Sequence, residues 1–148
     1  MDYEAVRAGY EQAIPFNQHV GLEMVEVGDG VGVVRLPQGD HLLNHVGSQH
    51  AGALFSAGEA ASGGAFIGAF AERMGEITPL AKSAEIDYRK IAKGPITATG
   101  RMSRDKAELM GTLESEGRVE FPIEVELVDP EGTVVCGMTV HWHVRTNA

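Results

Sequence analysis

A single carboxylate, Glu59, stands in an otherwise small and apolar run that extends from Ala51 to Ala71. Burying an isolated carboxylate is costly unless another group pairs with it, and apolar surroundings raise its pKa. Such a group can serve as a general base or as a nucleophile. The run could span a membrane by length alone, but its five glycines, two serines and glutamate dilute the hydrophobicity. We therefore predict a buried helix whose carboxylate is either structural or catalytic.

The polar stretch before this run, from Asn44 to His50, could supply donors for a ligand as well as a cap for the helix. The first N–H groups of a helix have no partner within it, and the helix dipole favours negative charge there. Ala51 and Gly52 therefore offer backbone donors for an oxyanion. The side chain of Asn44 offers an amide that could hold a carbonyl or a water molecule.

The glycines in this helix weaken it, each by about 1 kcal/mol relative to alanine, so it needs support from the surrounding structure. Its small residues would let a sheet wrap closely around it. The rest of the sequence predicts, in order, a helix at Tyr3–Ile14 ended by Pro15, a hairpin at Gly21–Leu36, a polar break at Glu72–Pro79, strands at Ala81–Ile91 and Ile96–Met102, a helix at Asp105–Glu116, and strands at Val119–Val128 and Thr133–Arg145. This order predicts one α+β domain over residues 1–148, with an antiparallel sheet on a central helix.

Two stretches resemble the hotdog-fold acyl-CoA thioesterases of the PaaI type. The first contains Asn44, Gly47, His50-Ala51-Gly52, Leu54 and Glu59, where the family usually has an Asn, a His-Gly-Gly and an acidic residue nine positions after the His. The second is the strand from Ala84 to Gly94, which carries a Tyr, basic residues and a closing Gly. The resemblance covers about residues 15 to 145 and implies a hotdog fold, in which an antiparallel sheet wraps one long helix.

The sequence departs from the family pattern in three places. Ala51 replaces the first Gly of His-Gly-Gly, which keeps the backbone N–H but adds a methyl group near the substrate. Glu59 stands where Asp is commoner, so the carboxylate reaches further by one methylene. The segment Asp105–Gly117 is longer and more helical than the usual hairpin and could reshape the acyl pocket. These differences bear on the activity and the choice of substrate.

The resemblance implies hydrolysis of an acyl-CoA thioester, which needs a positioned water, a base and donors for the oxyanion. Glu59 is the candidate base or nucleophile, and His50 and the Ala51 N–H are implied to sit at the carbonyl. Ala51 and Glu59 would be about 12 Å apart along one helix, whereas a carbonyl and its attacking water are about 3 Å apart. Two antiparallel helices from two subunits would bring the Ala51 N–H of one and Glu59 of the other to the same carbonyl. We therefore expect an obligate homodimer, and pairing of dimers into a tetramer stays open.

The chain has a formal net charge of −9, which argues against nucleic acid as a partner. Its basic residues nevertheless concentrate between Lys82 and Lys106, where the local balance is +4. This excess is suited to the phosphates of coenzyme A, which enters as part of the substrate and not as a cofactor. The candidate ligands are Arg89, Lys90 and Lys93, followed by Arg101 and Arg104.

Two other functions stay open at this point. A hotdog dehydratase of 3-hydroxyacyl thioesters would use His45 with Glu59, and a non-catalytic acyl-CoA-binding module would keep the fold alone. A metal site is not expected, because His141 and His143 have no evident third ligand. With one cysteine and an acidic N-terminus, the chain is expected to be cytoplasmic, without a membrane partner. The side chains predicted to size the acyl pocket are Phe55, Phe66, Met110 and Phe121.

Overall fold

The computed structural model describes residues 1–148 as four helices and one six-stranded sheet. The helices are α1 (Tyr3–Ala13), α2 (Pro15–Val20), α3 (Ala51–Phe70) and α4 (Lys106–Glu116). The strands are β1 (Glu23–Gly28), β2 (Val31–Leu36), β3 (Ile77–Tyr88), β4 (Ile96–Met102), β5 (Arg118–Val128) and β6 (Val134–Thr146). Short 3-10 turns occur at Asp40–Leu42 and Ala71–Arg73.

The six strands lie in the order β1-β2-β4-β5-β6-β3, and every neighbouring pair is antiparallel. The long helix α3 packs across one face of this sheet and contacts β1, β2, β4, β5 and β6. The predicted α+β fold, with a sheet wrapped around one central helix, is therefore confirmed. No helix of the structure has the length and apolar character needed to cross a membrane.

Small residues allow the sheet to approach α3 at backbone contact. A Cβ atom placed on Gly100 of β4 would lie 2.7 Å from the carbonyl oxygen of Ala61, and one on Gly32 of β2 would overlap the same oxygen. Side chains at these positions would push the strands away from the helix. The close packing of the sheet on α3 therefore needs small residues on both sides, which are the glycines and alanines of α3 and the glycines of the strands. The small residues of α3 predict this close packing from the sequence.

The core beyond this contact is aromatic. The rings of Phe66 and Phe70 on α3 stack at 4.7 Å between centroids, and Phe66 also stacks on Trp142 of β6 at 5.5 Å. Trp142 donates its indole N–H to Ser62 Oγ at 3.1 Å, which satisfies a polar group in the interior. Trp142 is therefore a core residue, as expected, and Ser62 has a structural partner rather than a catalytic one.

The structure differs from the predicted elements at two places. Pro15 does not only end α1, because it also begins the short helix α2 at a position where its missing N–H costs nothing. The predicted polar break at Glu72–Pro79 is too long, since β3 already begins at Ile77, which lies opposite Thr146 of β6. Backbone pairing with β6 holds these residues in a strand despite their polar sequence.

The strand β3 lies at the edge of the sheet and is more exposed than predicted. It pairs only with β6, so its other edge carries unpaired backbone groups. Ala84 and Ile86 are partly covered, but Leu80 and Tyr88 are 54% and 49% exposed. An exposed edge strand with this much apolar surface tends to pair with a strand of another chain.

Candidate active site

The N-terminus of α3 carries a backbone N–H without a partner, beside a histidine that caps the helix. Nδ1 of His50 accepts a hydrogen bond of 2.8 Å from the Gly52 N–H. This bond requires the neutral ring with its proton on Nε2, so the other ring nitrogen is a donor. The Ala51 N–H makes no hydrogen bond within the chain. Of the two predicted backbone donors, Ala51 is free in this state and Gly52 is engaged by His50.

Asn44 shapes the loop that leads into α3. Its Oδ1 accepts hydrogen bonds from the N–H groups of Val46 and Ser48, both at 3.0 Å. Its Nδ2 donates to Ser48 Oγ at 2.8 Å and to the Gln49 carbonyl at 3.5 Å. Gly47 closes the turn with a φ of +79°, a conformation that favours glycine. The amide is thus used within the loop, and it would have to rearrange to contact a substrate carbonyl.

Gln49 anchors the same loop from below, and its side chain is 2% exposed. Its Nε2 donates to the carbonyls of Pro37 at 3.1 Å and Gly94 at 3.0 Å, and its backbone N–H donates to Ala92. Gln49 therefore connects this loop to the residue after β2 and to the segment between β3 and β4. No local sequence pattern predicts this role, because it depends on contacts with residues far away in the chain.

A cavity of about 340 Å³ opens beside the N-terminus of α3. Asn44 and Ala51 line it together with Tyr88, Arg89 and Lys90. The Tyr88 hydroxyl donates to the Ala51 carbonyl at 3.1 Å and ties the end of β3 to the first turn of the helix. The structure therefore brings the predicted loop, the helix N-terminus and two predicted basic residues together. Tyr88 is not among the predicted site residues, although it is the Tyr of the strand on which the resemblance rests.

Glu59 lies two turns further along α3, outside this cavity. Its carboxylate makes no hydrogen bond or ion pair within the chain, and burial raises its pKa. The ring of Tyr10 lies nearby, and the charge of Glu59 adds to the burial that raises the pKa of that phenol. At about 1.5 Å per residue, Ala51 and Glu59 are separated by about 12 Å along the helix axis. A single chain therefore does not bring the carboxylate and the free N–H to one point.

Three of the predicted basic residues lie at the same end of the molecule as the free N–H. Lys90 and Lys93 are exposed and form no ion pair within the chain. The guanidinium of Arg89 crosses Gly137, which has no side chain to obstruct it, and lies 4.0 Å from Asp87. Lys90 and Lys93 are thus the cations most available to an anionic ligand.

Arg101 and Arg104 lie apart from these three. Arg101 is opposite Val31, at the hairpin end of β2, and five residues beyond the start of β4, which is about 17 Å of strand. It also faces Glu124 across the ladder. Arg104 pairs with Glu108 at 2.8 Å. Both arginines have acidic neighbours, and neither lines the cavity beside α3.

A further cavity, of about 570 Å³, lies on the outer face of the sheet. Arg89 and Arg101 line it, but four carboxylates outnumber them. These are Glu85, Asp87, Glu124 and Glu126. The excess of negative charge disfavours an anionic ligand here. His141 and His143 lie on the same face, where each contacts a glutamate at 3.0 Å, and no group of three or more potential metal ligands occurs in the chain.

The side chains predicted to size an acyl pocket are not all available for that role. Phe66 and Phe121 are 1% and 2% exposed and belong to the stacked core. Met110 lies on α4, packed against the core. Only Phe55 reaches the surface of α3, where it is 36% exposed between the free N–H and Glu59.

Comparisons with known proteins agree with this geometry. A family described as a domain of unknown function, DUF4442, matches residues 3–144. The Pseudomonas aeruginosa protein PA5026, described as a probable thioesterase, is 30% identical, with a TM-score of 0.86 over 97% of this chain and 95% of that one. The Escherichia coli PaaI protein of the phenylacetic acid degradation operon is 20% identical and superimposes with a TM-score of 0.75 over 98% and 93% of the two chains.

A hypothetical thioesterase from Streptococcus pneumoniae, solved with coenzyme A, is 23% identical, with a TM-score of 0.67 over 86% of this chain and 88% of that one. These last two likenesses, at lower identity, support the fold. Among curated proteins, none matches the sequence.

Proposed function

Since the chain belongs to the DUF4442 family and has the hotdog fold of the PaaI-type thioesterases, we propose that it hydrolyses acyl-CoA thioesters to the free acid and coenzyme A. The observation that carries the proposal is Glu59. It is a partly buried carboxylate with no partner, on the helix whose N-terminus offers a free backbone N–H at Ala51. An unpaired buried carboxylate is a cost to stability that a catalytic base would explain.

The reaction assigns one task to each group. Glu59 takes a proton from water, and the hydroxide oxygen adds to the thioester carbonyl. The Ala51 N–H donates to the oxyanion, and the dipole of α3 favours the negative charge that develops there. When the tetrahedral intermediate collapses, the carbon–sulfur bond breaks and the thiolate of coenzyme A takes the proton back from Glu59. A direct attack by Glu59 would instead form an anhydride that water then cleaves.

His50 and Asn44 would support this geometry. The Nε2–H of His50 points away from the cap, so it is a second donor for the carbonyl oxygen. Because Gly52 is engaged by His50, a substrate that displaces the ring would gain the Gly52 N–H as well. Asn44 keeps the loop in place, and its Nδ2 could turn from Ser48 towards a bound water.

The site is completed by a second copy of the chain. In an antiparallel pair of α3 helices, the free Ala51 N–H of one subunit lies opposite Glu59 of the other, although the two residues are about 12 Å apart along a single helix. Two features support such a pair. The free edge of β3 could continue the sheet into the second copy, and exposed apolar residues surround the N-terminus of α3. They are Val46, Phe55, Tyr88 and Ile91.

The phosphates of coenzyme A would lie against Lys90 and Lys93, with Arg89 beside them. Arg89 and Lys90 line the cavity that Ala51 also lines, and Lys93 lies on the neighbouring surface, so the pantetheine arm would enter along that cavity. The bound coenzyme A of the Streptococcus pneumoniae protein of the same fold is consistent with this ligand class.

Thiol release from a panel of acyl-CoA substrates tests the proposal. We expect turnover by the unaltered protein and a fall of about 100-fold or more in Glu59→Gln, the scale for loss of a general base. Glu72→Gln, an exposed change of the same chemistry just beyond α3, is the control and should leave the rate unchanged. Activity indifferent to Glu59→Gln would remove the mechanism.

Other outcomes identify the alternatives. Binding of acyl-CoA without any release of thiol would indicate a non-catalytic binding module. Conversion of a 3-hydroxyacyl-CoA without release of thiol, and dependent on His45, would indicate a dehydratase.

A further inference from the structure

The first turn of α3 contains a continuous chain of hydrogen bonds that begins on β3 and ends on His50. The Tyr88 hydroxyl donates to the Ala51 carbonyl at 3.1 Å. The Gly52 N–H donates to Nδ1 of His50 at 2.8 Å. Because the Ala51 carbonyl and the Gly52 N–H belong to the same peptide unit, resonance within that unit joins the two bonds. The chain therefore runs from the phenol through one peptide to the imidazole ring.

The donors of this chain of bonds all point in the same direction, from Tyr88 towards His50. A donor at the Ala51 carbonyl draws electrons towards that oxygen and makes the Gly52 N–H a stronger donor, because hydrogen bonds in series polarise one another. The stronger N–H in turn favours the His50 tautomer that has its proton on Nε2. This Nε2–H is the proposed second donor for the thioester carbonyl oxygen.

We propose that Tyr88 is a positioning residue for catalysis, which acts through the peptide between Ala51 and Gly52 to orient and strengthen the donor on His50. The inference rests on the proposed thioesterase function, because that function gives the Nε2–H of His50 a carbonyl oxygen to bind. Loss of the Tyr88 hydroxyl should weaken the stabilisation of the oxyanion, which forms only during the reaction. Binding of coenzyme A in the ground state should change little.

The location of Tyr88 agrees with this role. Its side chain is 49% exposed and lines the cavity together with Asn44 and Ala51, so the ring is not part of the packed core. A substrate in the cavity and a second subunit would shield this turn from water. Hydrogen bonds are stronger where the local dielectric constant is low, so the link from Tyr88 to His50 should be strongest when substrate is bound.

A purely structural role for Tyr88, as a tie between β3 and α3, predicts a different pattern. Tyr10→Phe is the matched control, because it also removes a phenol hydrogen bond to a backbone carbonyl of α3, that of Ala60 at 3.0 Å. The effect of Tyr10→Phe should be independent of His50. Tyr88→Phe keeps its ring in the cavity, and its effect on the reaction should depend on His50.

The kinetic experiment is a double-mutant cycle for one acyl-CoA substrate, with Tyr88→Phe, His50→Ala and the double variant. Tyr88→Phe should lower kcat about two- to tenfold, the scale of one neutral hydrogen bond, and should change KM by less than about twofold. In the His50→Ala background the same change should have no further effect. His50→Asn keeps an acceptor for the helix cap and an amide donor, so it should restore the sensitivity to Tyr88→Phe.

Two kinetic results would overturn the proposal. The first is an equal loss of kcat from Tyr88→Phe with and without His50, which would assign the effect to the Gly52 N–H itself or to the fold. The second is a rise in KM with kcat unchanged, which would make Tyr88 a residue of the binding surface.

An NMR measurement tests the same link without catalysis. In isotope-labelled protein, the nitrogen shifts of the His50 ring report its tautomer, and the shift of the Gly52 amide proton reports the strength of its bond. We expect Tyr88→Phe to move the Gly52 proton upfield and the Nδ1 shift towards that of an unbonded ring nitrogen, whereas Tyr10→Phe moves neither. If no thiol is released from any substrate, the thioesterase function fails, but moved shifts would still establish the link from Tyr88 to His50. Unmoved shifts in Tyr88→Phe would refute the link whatever the activity.

Discussion

Replacing Phe55 with cysteine tests the composite active site, because the proposed pair of helices places this position on the twofold axis. If Ala51 of one subunit faces Glu59 of the other, the residue midway between them must face its own copy. Phe55 is that residue, and it is 36% exposed in the single chain. Two cysteines at position 55 should therefore meet across the dimer.

The distances allow a disulfide. Packed helix axes lie about 8–10 Å apart and each Cα atom lies about 2.3 Å from its axis, so facing Cα atoms should be about 3.4–5.4 Å apart. Disulfides span Cα separations of about 4.4–6.8 Å, and the two ranges overlap. Ala51→Cys is the matched control on the same helix. Its two copies would lie about 12 Å apart along the axis, too far for a bond.

The assay is a non-reducing gel after mild oxidation. The one native cysteine, Cys136, is buried, and burial raises the pKa of its thiol to about 11, so it should contribute no background. We expect Phe55→Cys to form covalent dimers quickly and Ala51→Cys to form few. Faster cross-linking of Ala51→Cys, or a protein that stays monomeric at assay concentration, would refute the antiparallel arrangement and the composite site with it.

Three further predictions follow from the positions of charged and small residues. Burial raises the pKa of Glu59, so this group binds its proton more tightly in the folded state, and its contribution to stability is lost as pH rises through the folded pKa. Glu59→Gln should therefore be more stable than the unaltered protein at neutral pH, by about 0.5–2 kcal/mol, with the advantage shrinking in acid when melting is followed against pH. The acid limb of kcat/KM should correspondingly lie above 4.5, the ordinary value for Glu. Gly100→Ala should lower the free energy of unfolding by about 1–3 kcal/mol, because its Cβ would lie 2.7 Å from the Ala61 carbonyl oxygen. Gly111→Ala, whose Cβ would meet open space on α4, should raise the free energy of unfolding by up to about 1 kcal/mol. Urea denaturation of the two variants measures both changes. Lys90→Ala should raise KM for acyl-CoA about tenfold and leave KM for acyl-pantetheine substrates, which lack the nucleotide, unchanged. Arg104→Ala should change neither KM. Equal effects of the two variants would contradict the assigned phosphate site.

The sequence predicts the central helix well because its evidence is local. A run of alanine and glycine with one carboxylate can be stable only when other elements pack closely around it, so the buried helix and the wrapped sheet follow from the same residues. The alternation in Val119–Val128 likewise predicts β5, since a period of two determines which side chains face the core.

The site could be predicted only in part, because several of its features depend on long-range contacts. His50 caps the helix and accepts the hydrogen bond of the Gly52 N–H, so that N–H is not free for a substrate. This bond depends on the rotamer of His50, which the spacing of residues in the sequence does not indicate. Arg101 belongs to the same basic stretch as Lys90, yet the register of β4 carries it to the other end of the sheet. Tyr10 reaches the Ala60 carbonyl across fifty residues of chain, so its position beside Glu59 has no local signal.

The glycines of α3 connect the packing of the fold with the proposed chemistry. Gly64 lets β2 lie against one side of the helix, and Gly63 lets Tyr10 lie against another. The neighbours at these positions are backbone atoms, the Met24 side chain and the Tyr10 ring, and no hydrogen bond or ion pair reaches the Glu59 carboxylate from within the chain. The close packing that the sheet requires therefore also leaves Glu59 without a partner, in apolar surroundings that raise its pKa. A bulkier helix could bury the same carboxylate only by holding the sheet and Tyr10 further away, which would admit water and lower that pKa. The small-residue run thus links the architecture to the reactivity of its one carboxylate.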